Sequence, residues 1–285
     1  MAYTNRFEAM VDSVFIENPE ISFQRTAVEK ELLHQDILRI LRKIGIINNL
    51  VFMGGTCLRL CYESSRLSED LDFSTETEFS AEDVNRLSSS ISYGLSEKYS
   101  LDVTVRKPEK DTDTDTWIIR IITHPERSDI PSQQIHLDIC HYPSYRRELR
   151  RIHNYYPVDF GSGQLFLNVE SQEEILADKL LALSLRNRIK NRDIWDIEML
   201  NERRIQFEPE LLKKKSEDHG VPFDELVMKL KKRMNDINNN GLPDDFKSEM
   251  MRFVKVGDYN SNILSTEQAG VAFSTIISDY LRAAK

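Results

Sequence analysis

The chain has 285 residues, 40% hydrophobic and 30% charged, with 47 acidic against 38 basic residues and a formal net charge of −9. That length allows a large core in one or two domains, and the balance excludes both a disordered chain and a protein that coats nucleic acid through overall positive charge. No run approaches the roughly 18 apolar residues of a membrane helix and the N-terminus lacks a basic-then-apolar leader, so a cytoplasmic protein with no membrane partner is expected. Its cysteines, Cys57, Cys61 and Cys140, form no CxxC pair and suit a reducing compartment as buried free thiols.

Helical patterning covers residues 5–17 and 25–46, the second with Leu32, Leu33, Ile37, Leu38, Ile40 and Leu41 largely on one face. The apolar run Leu50 to Met53 then reads as a buried strand, broken by Gly54-Gly55, with Thr56 capping a helix through Tyr62. The first backbone N–H groups of such a helix point at a phosphate. After a short turn the chain extends again, so that Ser68, Asp70 and Asp72 share one face while Leu71 and Phe73 point into a core. Carboxylates facing a glycine turn suit magnesium, which binds through one or two carboxylates and substrate phosphates. A plain strand-to-helix turn and an amphipathic edge strand are the simpler alternative, but their order and spacing are those of one phosphate site.

Ser80 and Asp83 form a capping-box pattern opening a helix to about Lys98. Three runs rich in β-formers follow at 101–106, 117–123 and 134–141, with the Asp/Thr-rich stretch 111–116 as the connection between the first two. With the strands near 51 and 70 they predict a mixed sheet of about five strands. In the last run His136, Asp138 and Cys140 share a face opposite Ile135, Leu137 and Ile139. A zinc site from His136, Asp138, Cys140 and His141 is poor, since side chains two apart on a strand seldom converge on one tetrahedral ion. Arg146, Arg147, Arg150 and Arg151 would, on a helix, make two basic columns beside Tyr145, Tyr155 and Tyr156, suited to RNA contact, to an acidic partner, or to solvent alone.

The region 171–200 reads as helical, with Ser171 and Glu174 as a second capping box. Lys179 lies among Ile175, Leu176, Leu180 and Leu183, and periodicity alone favours a solvated lysine. Asp193 and Asp196 lie three apart on one helix side, either as an ion-pair network or as groups orienting Lys179. Beyond residue 205 the chain reads as helices at 209–215, 222–234, 244–253 and 266–282, with a loop at 238–243.

Two blocks together carry a family resemblance. Gly54-Gly55-Thr56-x-Leu58-Arg59-Leu60 followed by Arg66-x-Ser68-x-Asp70-Leu71-Asp72-Phe73, then Glu173 to Leu183 followed by Arg186, Lys190, Arg192, Asp193 and Asp196, resemble the AbiEii-type nucleotidyltransferases of the DNA polymerase β-like superfamily. The resemblance spans residues 50 to about 200. It implies an α+β protein: an N-terminal polymerase β-like mixed sheet with helices over 1–160 and a helical C-terminal lobe over 161–285.

It further implies transfer of NMP from an NTP to an acceptor hydroxyl, first of all a tRNA 3′ end, by the toxin of an abortive-infection or toxin–antitoxin pair with a cognate antitoxin protein. Two magnesium ions, or manganese, would be held by Asp70, Asp72 and Asp138, the last assisting the attacking hydroxyl. Gly54, Gly55, Thr56, Arg66 and Ser68 would bind the nucleotide, as would Lys190, Arg192, Asp193 and Asp196, while Lys179 would neutralise triphosphate charge. Nucleotide transfer to a protein side chain, and a nucleotide-binding or partner-binding module without turnover, are the alternatives.

Overall fold

A computed structural model of the chain describes residues 5–109, 114–127, 129–156, 158 and 165–284. The chain divides into two compact units, Met1–Val169 and Glu170–Lys285. The expected boundary at residue 160 lies outside the described residues.

In the first unit, α1 (Arg6–Glu17) begins where the side chain of Asn5 accepts the Glu8 amide at 2.8 Å, and α2 (Arg25–Lys43) buries Leu32, Leu33, Ile37, Leu38 and Leu41 as its periodicity predicts. The chain continues through β1 (Val51–Met53), α3 (Gly54–Tyr62), β2 (Leu71–Ser74) and α4 (Ala81–Tyr99), then β3 (Val103–Arg106), β4 (Thr114–Ile121), β5 (Gln133–Cys140), β6 (Arg147–Arg151) and β7 (Phe166–Glu170). The reciprocal Ser80–Asp83 capping box opens α4. The strands form one mixed sheet in the order β3-β4-β5-β2-β1-β7-β6. Hairpin-like antiparallel pairs join β1 to β2 and β4 to both β3 and β5, while β2 runs parallel to β5 and β1 to β7.

The sheet has seven strands rather than five. Arg147-Glu148-Leu149-Arg150-Arg151 forms β6 although it contains one apolar residue, because an edge strand needs little apolar character and charged side chains blunt its open edge. The helical arrangement of the arginines is therefore corrected. On a strand Arg147 and Arg151 share one face and Arg150 takes the other. Thr114, Asp115 and Thr116 belong to β4 itself, and residues 111–113 of the expected connection lie outside the described residues.

One sheet face is the core of this unit. Leu71, Phe73, Trp117, Ile119, Ile135, Leu137 and Ile139 are fully buried; Phe52 and Phe73 pack with ring centroids 5.1 Å apart, and Trp117 donates its indole N–H to Ser88 of α4 at 3.2 Å. Each such side chain removes roughly 2–3 kcal/mol worth of apolar surface from water.

The second unit is helical: α5 (Gln172–Leu185), α6 (Asn191–Glu202), α7 (Pro209–Asp218), α8 (Phe223–Asn240), α9 (Phe246–Met250), α10 (Val256–Ser261) and α11 (Ala269–Ala283). The helical region 171–200 is two helices with a break at 186–190, so Lys179 and the Asp193/Asp196 pair sit on different helices. Helix α5 is apolar on more than one side because α6, α7 and α8 all pack on it. The Ser171 hydroxyl accepts the Glu174 amide, whereas the Glu174 carboxylate holds the buried Lys215 ammonium at 2.8 Å, beside Glu170 and Asp178. Asn238 to Asn240 are the last turn of α8 rather than a loop, which starts at Gly241. No helix among the described residues is long and apolar enough to cross a membrane.

Candidate active site

The Gly-Gly turn and the carboxylate strand are built against each other. Met53 at the end of β1 pairs with Asp72 on β2, and Gly54 follows with a φ of +74°, the left-handed region that L side chains avoid. A Cβ on Gly54 would stand 2.5 Å from Asp72 Oδ2, and one on Gly55 would strike the Arg66 guanidinium and lie 3.0 Å from Ser68 Oγ. Gly54 is thus required by its backbone and by the carboxylate it faces, while a side chain at Gly55 would displace the Arg66 guanidinium. Helix α3 begins at Gly54, so Thr56 is its third residue and not its cap. The fully buried Thr56 side chain instead donates its hydroxyl to the Asp70 carbonyl.

Four contacts fix Asp70 and the residue before it. His34 of α2 bonds through Nε2 to the Glu69 carbonyl at 3.0 Å, and Thr56 holds the next carbonyl. The Asp70 carboxylate accepts the backbone amide of His136 at 3.1 Å and contacts its ring Nδ1 at 3.1 Å. Burial pushes the Asp70 carboxyl upward, but the His136 hydrogen bonds and charge, with Lys30 beyond, outweigh it and hold the group below the usual carboxylate range. Burial pushes His34 down to about 4, so this ring is neutral at pH 7. His34 carries no local signal in the sequence, since its place inside an amphipathic helix looks like any other helical position.

Asp72 and Asp138 are direct neighbours across the parallel β2–β5 pair, and Asp138 in turn faces Thr116 of β4. Thr116 donates its hydroxyl to Asp138 Oδ1 at 2.6 Å. The face of His136, Asp138 and Cys140 is the half-exposed one, as the alternation predicts. Asp70, Asp72 and Asp138 offer carboxylate oxygens only, the hard donors that magnesium and manganese take and zinc sites seldom rely on. In donor type all three fit such ions, and strand register sets Asp72 beside Asp138. Among the described residues, no three His, Cys, Asp or Glu side chains already converge as metal ligands, the zinc set included.

Arg59 of the glycine motif is buried and bonds Glu31 of α2 at 2.8 Å and the Ser64 carbonyl at 2.9 Å. Arg66 is likewise buried and donates to the Leu67 carbonyl at 2.8 Å.

The second unit gathers the downstream block. Lys179 Nζ lies 2.8 Å from both Asp193 and Asp196, which are 5% and 0% exposed, and Arg186 pairs with Asp193. Burial would raise the Asp193 carboxyl, but Lys179 and Arg186 outweigh it and hold it below its ordinary value. Arg192 faces Glu249 at 3.6 Å and stacks over Phe253. Lys190 is the residue just before α6. The surface arginines of the first unit are partly neutralised: Arg147 pairs with Glu76, and Arg150 with Glu148 at 2.6 Å.

Known proteins share this architecture. MenT4, a nucleotidyltransferase toxin from Mycobacterium tuberculosis H37Rv, superposes with a TM-score of 0.54 at 15% identity, over 97% of this chain and 98% of its own. A putative nucleotidyltransferase from H. pylori gives 0.50 at 19% identity, over 90% and 96%. At such identities the likeness is one of fold. No curated protein sequence matches the chain significantly. The sequence profile described as nucleotidyl transferase AbiEii toxin, type IV TA system, matches residues 36–262, a span that holds the glycine turn, Asp70, Asp72 and Asp138, and the Lys179 network. The chain therefore belongs to the AbiEii nucleotidyltransferase toxin family of type IV toxin–antitoxin systems.

Proposed function

We propose that the chain transfers a nucleoside monophosphate from an NTP to an acceptor hydroxyl on RNA, first of all a tRNA 3′ end, and that a cognate antitoxin protein accompanies it. The observation that carries this reading is the placement of Asp72 beside Asp138 in register, with the Gly54 turn closed onto the Asp72 carboxylate. The RNA acceptor rests on the family resemblance.

Asp70, Asp72 and Asp138 would hold magnesium or manganese, which supplies charge neutralisation at the reacting phosphate and its two flanking oxygens. The acceptor oxygen attacks the α-phosphorus, the bond to pyrophosphate breaks, and Asp138 takes the hydroxyl proton through its oxygen not engaged by Thr116. Gly54 and Gly55 keep side chains out of the phosphate's path, Ser68 and Arg66 stand beside them, and Thr56 holds the Asp70 backbone. Lys179, carried by Asp193 and Asp196, contributes positive charge to the triphosphate, with Lys190 and Arg192 as further nucleotide contacts.

The test incubates the protein with labelled NTPs, magnesium, and either total RNA or total protein. Label on RNA, lost in Asp72→Asn, is expected. Label on protein alone would redirect the acceptor, and no transfer to either would leave a binding module.

A further inference from the structure

On the sheet face that carries Asp138, paired residues form rows that cross the strands. Asp72, Asp138 and Thr116 make one row; His136, Ile118 and Arg106 make the next; Gln134, Arg120 and Thr104 make a third. Paired side chains point to the same side of a sheet, and the opposite side is the buried one with Trp117, Ile119, Ile135 and Leu137. Thr104, Arg106, Arg120 and Gln134 are all exposed. Together with Val105 and Ile118 they line an open groove of about 520 Å³.

The two arginines are placed for an anion. Arg120, which is exposed, uses Nε on Ser132 at 2.8 Å, and its two terminal nitrogens are not part of that bond. Arg106 has no ion pair among the described residues. This contrasts with Arg147 and Arg150 on β6, at the other end of the sheet, which already hold glutamates.

Distance identifies the kind of anion. Strands lie about 4.8 Å apart, so Arg120 on β4 stands roughly 14 Å and Arg106 on β3 roughly 19 Å, measured across the sheet, from the β1 strand that leads into the Gly54 turn. One nucleotide bound at that turn does not extend over both. A chain with repeated phosphates does, and polar Gln134 and Thr104 beside the apolar Ile118 suit unpaired nucleotides. The acceptor must also reach the Asp138 side, where its hydroxyl loses a proton, and β4 and β3 are the strands beyond β5 in that direction.

Resting on the transferase reading above, we infer that the open β3–β4–β5 face is the track for the acceptor RNA strand, with Arg106 and Arg120 as its phosphate contacts. The β6 arginines are not part of it.

The experiment measures binding of a fluorescein-labelled single-stranded RNA with a free 3′ hydroxyl at several salt concentrations, and magnesium-NTP binding in one buffer. It compares the full wild-type chain, R106Q/R120Q, and a variant with Arg146, Arg147, Arg150 and Arg151 all changed to Gln. Two lost single-strand phosphate contacts should flatten the slope of log K against log salt by about 1.4 and weaken binding about tenfold or more at low salt. NTP affinity and thermal midpoint should stay at wild-type values, and the four-arginine variant should keep the wild-type slope. An unchanged slope in R106Q/R120Q overturns the proposal, as does wild-type protein that binds NTP and labels protein acceptors but binds no RNA. Arginine-dependent RNA binding without any NTP binding would support the track while defeating the transferase reading.

Discussion

Asp72 and Asp138 stand opposite each other on adjacent parallel strands although 65 residues separate them in the chain. Parallel strands need a long crossover, here provided by α4, β3 and β4, and the register fixes the pair because a one-residue slip would turn Asp138 into the core and Leu137 or Ile139 out of it. The neighbouring β1 strand pairs Met53 with Asp72, which brings the following Gly54 against the Asp72 carboxylate. Charge at this row, not packing, is what a carboxamide substitution removes.

Asp72→Asn is accordingly expected to abolish transfer while preserving the fold. Loss of an outer-shell metal partner costs 10- to 100-fold, and a direct ligand should cost at least about 100-fold. Steady-state transfer rates beside a circular-dichroism melt check this; a folded variant with wild-type turnover would remove Asp72 from the site.

Gly54→Ala should harm both stability and activity. The positive φ alone costs an alanine about 1–2 kcal/mol, and its Cβ would meet Asp72 Oδ2 at 2.5 Å. Urea denaturation should show a lower midpoint, and transfer should fall further than stability explains at temperatures where the variant is folded. Ala tolerated without change in either would mean that the turn can reshape.

His34 predicts a pH dependence. Its folded pKa is depressed to about 4 by burial, against about 6.5 unfolded. Below about pH 6.5 the unfolded chain takes up a proton that the folded chain refuses, so this residue's contribution is full above that pH and is lost as pH falls toward 4. The loss is on the order of 3 kcal/mol. Denaturant titrations between pH 7 and 5 should show wild type weakening more than His34→Gln; parallel slopes would show that the ring does not titrate as described.

Lys179→Ala should lower NTP affinity and also destabilise the protein. Its removal leaves the Asp193 and Asp196 carboxylates buried with one cation fewer, a change that costs about 3–5 kcal/mol when a buried pair is broken. The double variant Lys179→Met with Asp196→Asn should recover part of the stability without recovering NTP affinity. Isothermal titration and melting curves separate the two effects; unchanged NTP affinity in the folded double variant would make Lys179 a purely structural tie between α5 and α6.

Local physics was legible in the chain itself. The alternation from Leu71 to Phe73 and around Asp138, the capping serines at 80 and 171, and the amphipathic stripe of α2 each depend on a few adjacent residues and appear in the structure, whereas Ser68 is buried and precedes the strand instead of sharing its open face. The two motif blocks also identified the family. What the sequence could not state are relations made by non-local contacts. That Gly54 must be glycine because Asp72 lies against it, that Thr56 ties the Asp70 backbone instead of capping a helix, and that buried His34 holds the preceding carbonyl are all products of packing between segments distant in sequence.

The same cause accounts for the errors. Strand β6 has too few apolar residues to declare itself, and its pairing in the sheet outweighed its weak propensity. The arginines on β3 and β4 carry no local signal at all, being scattered through two strands. Only the cross-strand register gathers Arg106 and Arg120 onto the face of Asp138, because periodicity within one segment cannot encode which strands will be neighbours.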